Sequence, residues 1–300
     1  MPAVAESAAY EQIDVSCPVD FSHPLNQGKI SWLLCTDTPG WRGGNTLRDL
    51  VRGGGRNPND GTLSGSTLPK WQGGAGRPGG KGSLLLDGST GYVDCGNFAD
   101  NLPAFTVAIW FFSASLPNYT PLVEKCANLN NAPGWYILAL NSGTQFYSYI
   151  QGTGGSTYSG MISTIPASKN ALNKWHQAVF SVSGSATGQT AFYYDGVKLG
   201  TGTLSGSLTS WSSPNNVVLG KKDGYASSAY FGGNLDDLAI WNRGLTAQEV
   251  AANYVISKQG YPGMLRRIAP RDYSFPASAG SSFQPAWAAR SNQYLGGGVM

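Results

Sequence analysis

Paired carboxylates would support the hydrolysis of a glycosidic bond, which needs two of them at a set separation. The chain has four glutamates, Glu6, Glu11, Glu124 and Glu249. The first two stand in a polar lead-in, Glu249 is placed to cap a helix, and Glu124 stands alone beside Lys125. Asp236 and Asp237 are adjacent in one predicted strand, so their side chains should point to opposite faces and cannot act as a pair. We therefore predict that the protein is not an enzyme.

Nucleophilic and phosphoryl chemistry also lack a candidate. The only histidines are His23 and His176, and His176 lies in a strand pattern, where a packed and hydrogen-bonded histidine is the usual outcome. No G-x-S-x-G elbow and no H-E-x-x-H pair occurs, and glycines 53–55 lack the Lys-Ser/Thr ending of a phosphate-binding loop. The sequence therefore predicts no catalytic residue.

Asp236 is the carboxylate that most needs an explanation. It alternates in register with Leu238 and Ile240, two apolar residues that we expect to face the core. A carboxylate on a core face is costly unless a cation or several hydrogen-bond donors compensate it. We expect either a bound cation at Asp236 or a set of backbone N–H donors from a neighbouring loop.

Aromatic side chains with nearby amides indicate a second kind of site. Sugars present apolar faces that stack on exposed rings, and their hydroxyls pair with planar amides. The candidates for carbohydrate binding are Trp135, Tyr147, Tyr149, Trp211, Tyr225 and Asn130. The alternative is that many of these rings fill a core, which 15 Tyr and 9 Trp would readily do.

The elements that must position these residues are strands. Gly is abundant at 41 residues and charged residues make up only 12%, which is typical of many short strands joined by tight turns. The clearest strand patterns lie at 29–35, 83–86, 92–93, 105–112, 135–140, 146–151, 175–182, 190–194, 217–219 and 235–241. Asp195-Gly196 predicts a two-residue hairpin. Thr246 with Glu249 predicts a capping box at the start of one short helix.

These patterns divide the chain into three parts. We predict a lead-in at 1–23, an all-β sandwich of two antiparallel sheets at 24–256 that ends in the short helix, and an extended C-terminal arm at 257–300. The arm is broken by Pro and Gly but keeps aromatic residues, so we expect it to pack on its own domain or on a neighbour. The start has no basic and apolar segments typical of a Sec signal.

Composition limits the partners. The net charge is +3 without a run of Lys or Arg, so we predict no nucleic-acid partner. No apolar run is long enough to span a bilayer, and we predict no membrane partner. The cysteines, Cys17, Cys35, Cys95 and Cys126, are far apart, which favours free buried thiols over a zinc site. A Cys17–Cys35 disulfide stays open.

Five segments, in order, resemble laminin-G-like jelly-roll domains of the concanavalin A-like lectin/glucanase superfamily. Residues 86–93 (LDGSTGYV) are similar to the family opening F-D-G-x-x-D-Y-V, and 105–110 (FTVAIW) to its F-T-V-x-x-W strand. Trp175-His176 and Tyr194-Asp195-Gly196 resemble its W-H and Y-x-D-G motifs. Residues 233–246 (GNLDDLAIWNRGLT) resemble the closing G-x-I-D-D-V-x-I-W-N-R-x-L-S.

The resemblance implies a two-sheet jelly-roll sandwich. It also implies a structural Ca²⁺, held by Asp236 with Asp87 or Gly88 of the opening motif as further ligands; calcium suits this because it takes many oxygen ligands. Gly91 stands where the family has an acidic residue, and the E-x-D-x-x-E strand of the catalytic members is absent.

Two functions follow, and they are compatible. The flanks, around 76–80 and 283–292, are similar to those of such domains in phage-encoded and environmental bacterial proteins. That likeness implies a structural virion protein, a head-decoration, fibre or other surface subunit, that contacts other virion proteins or copies of itself through the arm. The alternative is a carbohydrate-binding adhesion module, extracellular or on a cell or particle surface, whose partners are glycans.

Overall fold

The computed structural model describes residues 12–13, 19–35, 42–51, 59–126, 133–152, 158–170, 172–184, 189–205, 208, 212–222, 229–265 and 267–268. Residues 12–267 form one compact unit, which contains all the strands of the sandwich. No helix in this described part is long and apolar enough to cross a membrane.

The first strands are β1 (Gln12–Ile13), β2 (Lys29–Leu33), β3 (Arg42–Gly43), β4 (Thr46–Leu47), β5 (Gly61–Ser64), β6 (Lys70–Gly73), β7 (Gly82–Asp87), β8 (Tyr92–Asp94), β9 (Phe105–Phe112), β10 (Thr120–Lys125) and β11 (Gly134–Leu140). The later strands are β12 (Gln145–Gln151), β13 (Tyr158–Thr164), β14 (His176–Ser183), β15 (Gln189–Tyr194), β16 (Val197–Thr203), β17 (Val218–Leu219), β18 (Lys221–Lys222), β19 (Ala229–Tyr230), β20 (Gly232–Trp241) and β21 (Arg267–Ile268). The helix α1 spans Ala247–Lys258, and short 3-10 turns lie at Pro24–Asn26, Asn141–Gly143 and Ala167–Lys169.

The strands form two antiparallel sheets stacked as a sandwich. The nine-stranded sheet has the order β13-β12-β11-β10-β17-β8-β5-β4-β3. The eight-stranded sheet has the order β16-β15-β14-β9-β20-β7-β6, with β2 also paired to β20. Two small pairs, β1 with β21 and β18 with β19, complete the arrangement. The all-β, two-sheet sandwich with one short helix is therefore confirmed.

Strand β9 shows why both faces of the eight-stranded sheet are apolar. Phe105, Val107 and Phe111 belong to the core between the two sheets, while Ala108 belongs to a second apolar cluster on the outer face of the same sheet. Side chains alternate along a strand, so a run that is apolar at nearly every position is buried on both sides.

Helix α1 is the main cover of that outer face. Thr246 Oγ accepts a hydrogen bond from the Glu249 N–H at 3.2 Å, and Glu249 Oε2 accepts one from the Thr246 N–H at 2.8 Å, which is the predicted capping box. Val250, on the buried side of the helix, is fully buried. Tyr254 stacks on Trp110 with ring centroids 5.4 Å apart.

The packed unit extends further at both ends than the predicted 24–256. Val19, which we had placed in the lead-in, is fully buried and forms an isolated bridge with Leu265. Tyr261 and Met264, from the start of the predicted arm, are buried in the outer cluster of the same chain. Residues 266 and 269–300 of the predicted arm lie outside the described residues.

The predicted hairpin at Asp195-Gly196 joins β15 to β16. Both residues have positive φ, 51° and 75°, as a two-residue turn of this kind requires. Asp195 also accepts hydrogen bonds from Gln177 N and from His176 Nδ1, at 3.0 and 2.7 Å. The hairpin tip is thereby tied to the neighbouring strand.

Strand β20 corrects the prediction for its two aspartates. The register with β9 shifts between Asp236 and Ala239, and Asp237 has φ of 58°. This bulge interrupts the alternation, so Asp236 does not share a face with Leu238 and Ile240. Both carboxylates instead lie on the outer side of the sheet, within reach of the same arginine, Arg77.

Candidate functional site

The two outer faces of the sandwich differ. The outer face of the eight-stranded sheet, named here the closed face, is covered by α1, the segment at 19–34 and residues 261–264. The outer face of the nine-stranded sheet, named here the open face, keeps half-buried or exposed side chains at Thr62, Tyr92, Asp94 and Tyr147. A ligand that contacts the sheet itself therefore has access to the part of the open face around these four side chains, whereas Tyr136 and Leu138 on the same face are buried.

A polar groove runs along the open face as two adjoining hollows. The larger, of about 420 Å³, is lined by residues that include Asn59, Asp60, Thr62, Ser64, Asp94 and Asn97. The smaller, of about 230 Å³, is lined by residues that include Tyr92, Asp94, Glu124, Asn215, Asn216 and Lys221. Asp94 belongs to both hollows, so it stands at the point where they meet.

Asp94 is held by its neighbours. Its carboxylate accepts hydrogen bonds from Asn216 Nδ2 at 2.8 and 3.0 Å and from the Gly96 N–H at 2.9 Å. Strand β8 places it, because Val93 between Tyr92 and Asp94 points into the core while its two neighbours face the groove. The groove therefore presents an acceptor and an amide in fixed positions.

The smaller hollow also carries an aromatic ring and charged groups. Tyr92 lies in its wall with the Lys221 ammonium 4.6 Å from the ring centroid. Glu124, which we had described as isolated, is buried in the same hollow. Burial lowers the pKa of Lys222, and the Glu124 carboxylate opposes this shift.

A group of tyrosines occupies the other part of the open face. Tyr136 and Tyr149 stack with centroids 4.9 Å apart, and Tyr147 meets Tyr136 edge-on at 5.4 Å. Gly160 on the next strand leaves room for them, since a Cβ there would lie 2.7 Å from Tyr147 Oη. Tyr147 keeps a half-buried ring, whereas Tyr149 is only 7% exposed.

The predicted sugar-binding set is therefore only partly on this face. Trp135 is a correction: it is fully buried in the core between the sheets, where it packs near Phe105 at 5.8 Å, so it cannot stack on a sugar. Asn130, Trp211 and Tyr225 lie outside the described residues. The sequence reasoning missed Tyr92, Asp94, Asn216 and the Asn59–Asp60 pair.

The predicted calcium ligands do not fit a shared ion. Asp87 is exposed, and its carboxylate accepts hydrogen bonds from Ser89, Thr90 and Gly91, the last at 2.8 Å. These hydrogen bonds, working against desolvation, lower the pKa of Asp87. Asp87 pairs with Gly232, four residues before Asp236, or about 13 Å along a strand. Gly88 is in the same exposed turn as Asp87.

Asp236 also has other partners in place of a metal. It is 3% exposed, accepts a hydrogen bond from the Cys35 N–H at 2.9 Å, and lies 3.4 Å from Arg77 Nε. Burial raises its pKa to about 7, although Arg77 opposes the shift. Within the described residues, no group of three or more His, Cys, Asp or Glu is arranged to hold a metal ion.

The remaining candidates are structural. His176 is 6% exposed, with Nδ1 2.7 Å from Asp195 Oδ2 and Nε2 3.0 Å from the Asn170 carbonyl, as predicted for a packed histidine. Cys35 and Cys95 are free, buried thiols, and Cys126 is also buried. Burial raises the pKa of the Cys35 and Cys95 thiols. Cys17 lies outside the described residues, so its pairing stays open.

Comparison with known proteins agrees with this fold. Residues 87–251 match the family model described as the concanavalin A-like lectin/glucanases superfamily. A comparison with curated proteins gives no match. Among solved structures, the chain is similar to domain 4 of AbnA, a GH43 extracellular arabinanase from Geobacillus stearothermophilus, in complex with arabinotriose. The identity is 17% and the TM-score 0.52, over 75% of this chain and 97% of that domain.

Two toxin domains are also similar. The binding domain of botulinum neurotoxin serotype D/C aligns at 17% identity with a TM-score of 0.55, over 78% of this chain and 53% of that one. The binding domain of Paraclostridial Mosquitocidal Protein 1 aligns at 14% identity with a TM-score of 0.52, over 77% and 52%. This chain thus spans about half the length of each toxin domain.

Proposed function

Because the chain belongs to the concanavalin A-like lectin/glucanases superfamily, we propose that it is a glycan-binding domain whose groove on the open face holds a sugar chain without cleaving it. One observation carries the proposal: two adjoining polar hollows share Asp94 on the face of the sandwich that is not covered by the helix. Family membership alone would not favour binding, because one fold hosts many functions.

The chemistry of the groove supports this function. Sugar hydroxyls donate to carboxylates and accept from amides, and Asp94 and Asn216 supply both groups in fixed positions. Tyr92 supplies a ring for an apolar sugar face. Two of the similar structures were solved with glycans, the AbnA domain with arabinotriose and a botulinum D/C binding domain with SialylT.

The absence of cleavage is part of the proposal. A glycosidase needs one carboxyl group that is free to give up a proton, whereas the Asp94 oxygens accept hydrogen bonds from Asn216 and Gly96. We therefore expect Asp94 to orient hydroxyl groups and not to protonate a leaving group.

Affinity electrophoresis in gels that contain single polysaccharides, such as arabinan, xylan or dextran, tests the proposal. We expect retardation by at least one of them, and a weakening of about tenfold in Tyr92→Ala and in Asn216→Ala, the amount that one lost hydrogen bond or ring contact accounts for. The matched control is Val255→Ser, an exposed residue of α1 on the closed face.

Two results would contradict the proposal. One is binding of every polysaccharide with the same strength by the wild type and both groove variants. The other is release of reducing ends that stops in Asp94→Asn, because this would make the groove an active site.

The virion prediction concerns the setting of such a domain. A surface subunit of a phage particle would be anchored by its flanks and would present the groove outward. It stays a prediction supported by the resemblance of the flanks, and mass spectrometry of purified particles tests it. The alternative setting, a cell surface or the extracellular space, needs the same groove and is tested by fractionation of the producing cells.

A further inference from the structure

Arg77 is an unusual residue for a glycine-rich loop, because its side chain is only 1% exposed. The loop joins β6 to β7 and closes through Gly74 N to Lys81 O at 2.8 Å and Gly80 N to Arg77 O at 2.8 Å. Gly79 has φ of 76°, and a Cβ there would lie 2.3 Å from the Lys258 carbonyl oxygen. The loop is thus pressed against the last turn of α1.

The Arg77 guanidinium meets both aspartates of the β20 bulge. Its Nε lies 3.4 Å from Asp236 Oδ2 and 3.2 Å from Asp237 Oδ2, and all three side chains are at most 1% exposed. Burial lowers the pKa of Arg77, but Asp237, Tyr261 and Asp236 more than offset this, so the group stays cationic. A buried carboxylate pair needs such a positive charge to remain in the protein interior.

The same guanidinium binds the last turn of α1 and the segment that follows it. Its Nη1 donates to the Ser257 carbonyl oxygen and, at 3.0 Å, to that of Pro78. The Arg77 Cζ atom lies 4.9 Å from the centroid of the Tyr261 ring, and Tyr261 Oη donates a hydrogen bond to Asp237 Oδ2. Burial and Asp237 raise the pKa of Tyr261, so it remains a donor.

The remaining oxygens of the acid pair are also occupied. Asp237 Oδ1 accepts from Trp32 Nε1 at 2.7 Å and Asp236 Oδ1 from the Cys35 N–H at 2.9 Å. A Cβ on Gly80 would lie 3.0 Å from Asp236 Oδ2, so the loop backbone fills the space beside that oxygen. Asp236 Oδ2 accepts no hydrogen bond and has only the Arg77 charge beside it in the described residues. One such oxygen falls far short of the six to eight oxygen ligands that calcium needs.

We infer that Arg77 is the built-in cation of the Asp236–Asp237 pair, and that it fastens residues 247–265 to the eight-stranded sheet without a metal ion. Residues 247–265 are named the C-terminal cover. The guanidinium links three elements that are distant in sequence: the glycine loop, the bulged strand and the cover. A divalent ion bound to the two aspartates could supply charge, but it could not donate a hydrogen bond to Ser257.

Three measurements on the full chain test the inference. The first compares thermal melts of the wild type in calcium and in a chelator, where we expect the same melting temperature, because a ligand that binds only the folded state would raise it.

The second measures tryptic cleavage after Lys258, an exposed residue of the cover, in Arg77→Met and in the control Lys70→Met, which removes an exposed cation of the neighbouring strand. We expect cleavage at least about tenfold faster in Arg77→Met only, because cleavage follows the open population.

The third measurement is chemical rescue of Arg77→Ala by millimolar methylguanidinium, with methylammonium as its control. We expect methylguanidinium to restore the melting temperature and the protection of Lys258, and methylammonium to do so less, because only the planar fork makes several directed hydrogen bonds. If Arg77→Met does not fold, Arg77→Lys takes its place. We then expect the protection of Lys258 from trypsin to lie between that of the wild type and that of Arg77→Ala in methylguanidinium.

Three outcomes would overturn the inference. They are a rise in the wild-type melting temperature with calcium, protection of Lys258 in Arg77→Met equal to that in the wild type, and equal rescue by the two cations.

Discussion

The closed and open faces of the sandwich place their polar groups in opposite ways. On the closed face, Arg77, Asp236 and Asp237 are buried and bound to each other, beneath a helix and a returning segment. On the open face, Asp94 and Asn216 are also bound to each other but remain half-exposed in a groove. Polar groups that compensate one another inside a fold hold elements together, while the same groups at a surface stay available to a ligand. We therefore expect substitutions on the closed face to change stability and those in the groove to change binding.

The largest effect on stability should come from Trp241→Ala. Trp241 is fully buried in the apolar cluster of the closed face, and its indole N–H donates a hydrogen bond to the Leu25 carbonyl at 2.7 Å. We expect the free energy of unfolding to fall by about 3–5 kcal/mol, because the change leaves a cavity and an unpaired carbonyl. Denaturant unfolding followed by far-UV dichroism measures it. A midpoint equal to that of the wild type would contradict the view of the closed face as the stabilising one.

Lys29 gives the closed face a pH dependence. It is fully buried, 3.6 Å from the centroid of the Trp32 ring, and burial lowers its pKa from 10.5 to about 7, against the opposing charges of Asp237 and Asp49. Between pH 7 and 10.5 the unfolded chain therefore holds a proton that the folded chain lacks, so stability should rise with pH in this window. The slope is at most about 1.4 kcal/mol per pH unit.

Lys29→Met removes that rise. From pH 7 to pH 9, the wild type should gain about 2–3 kcal/mol relative to the variant. Urea unfolding of both proteins at pH 7, 8 and 9 provides the measurement, and the comparison cancels the titration of other groups. A difference that does not change with pH would show that the Lys29 ammonium keeps its ordinary pKa.

Thr246→Ala should weaken the helical cover by a smaller amount. The change removes the side-chain acceptor of the Glu249 N–H, which costs about 1 kcal/mol for a helix cap. Thr246→Ser is the matched control, because it keeps the hydroxyl group and should stay near the wild type. The unfolding midpoint checks both, and equal losses in the two variants would exclude the cap as the cause.

Tyr92→Ala should have the smallest effect on stability. Tyr92 is a half-buried ring in the groove, and we expect a change within about 0.5 kcal/mol, as for surface substitutions. The same variant should lose polysaccharide affinity, and thermal melts beside affinity electrophoresis separate the two effects. A large loss of stability would mean that the open face also stabilises the fold.

Local patterns predicted much of the fold. The capping box of Thr246 and Glu249 and the Asp195-Gly196 hairpin depend on neighbouring residues alone. The strand β9 could likewise be predicted from the apolar run of its own residues. The two aspartates of β20 were predicted incorrectly because a bulge, which no local pattern marks, places both of them on one side. Arg77 could not be matched to them, since 159 positions separate it from Asp236 and only the folded loop brings it there.

The groove was visible in the sequence only in part. Tyr92-Val93-Asp94 shows the alternation of a half-buried strand, which could have drawn attention to Tyr92 and Asp94. Which sheet lies open depends on where α1 and the segment at 19–34 pack, and this is a tertiary property. For the same reason Trp135 could not be separated from exposed aromatics before its core position was known.

The bridge between Val19 and Leu265, with Asp20 N donating to the Met264 carbonyl at 3.0 Å, brings the two ends of the sandwich together on the closed face. A unit whose ends meet can be inserted into a loop of a host protein without separating its two sheets. It can also be circularly permuted, with a short linker that joins the two ends. In the first design the host would be attached at the closed face, and the open face would remain turned away from it.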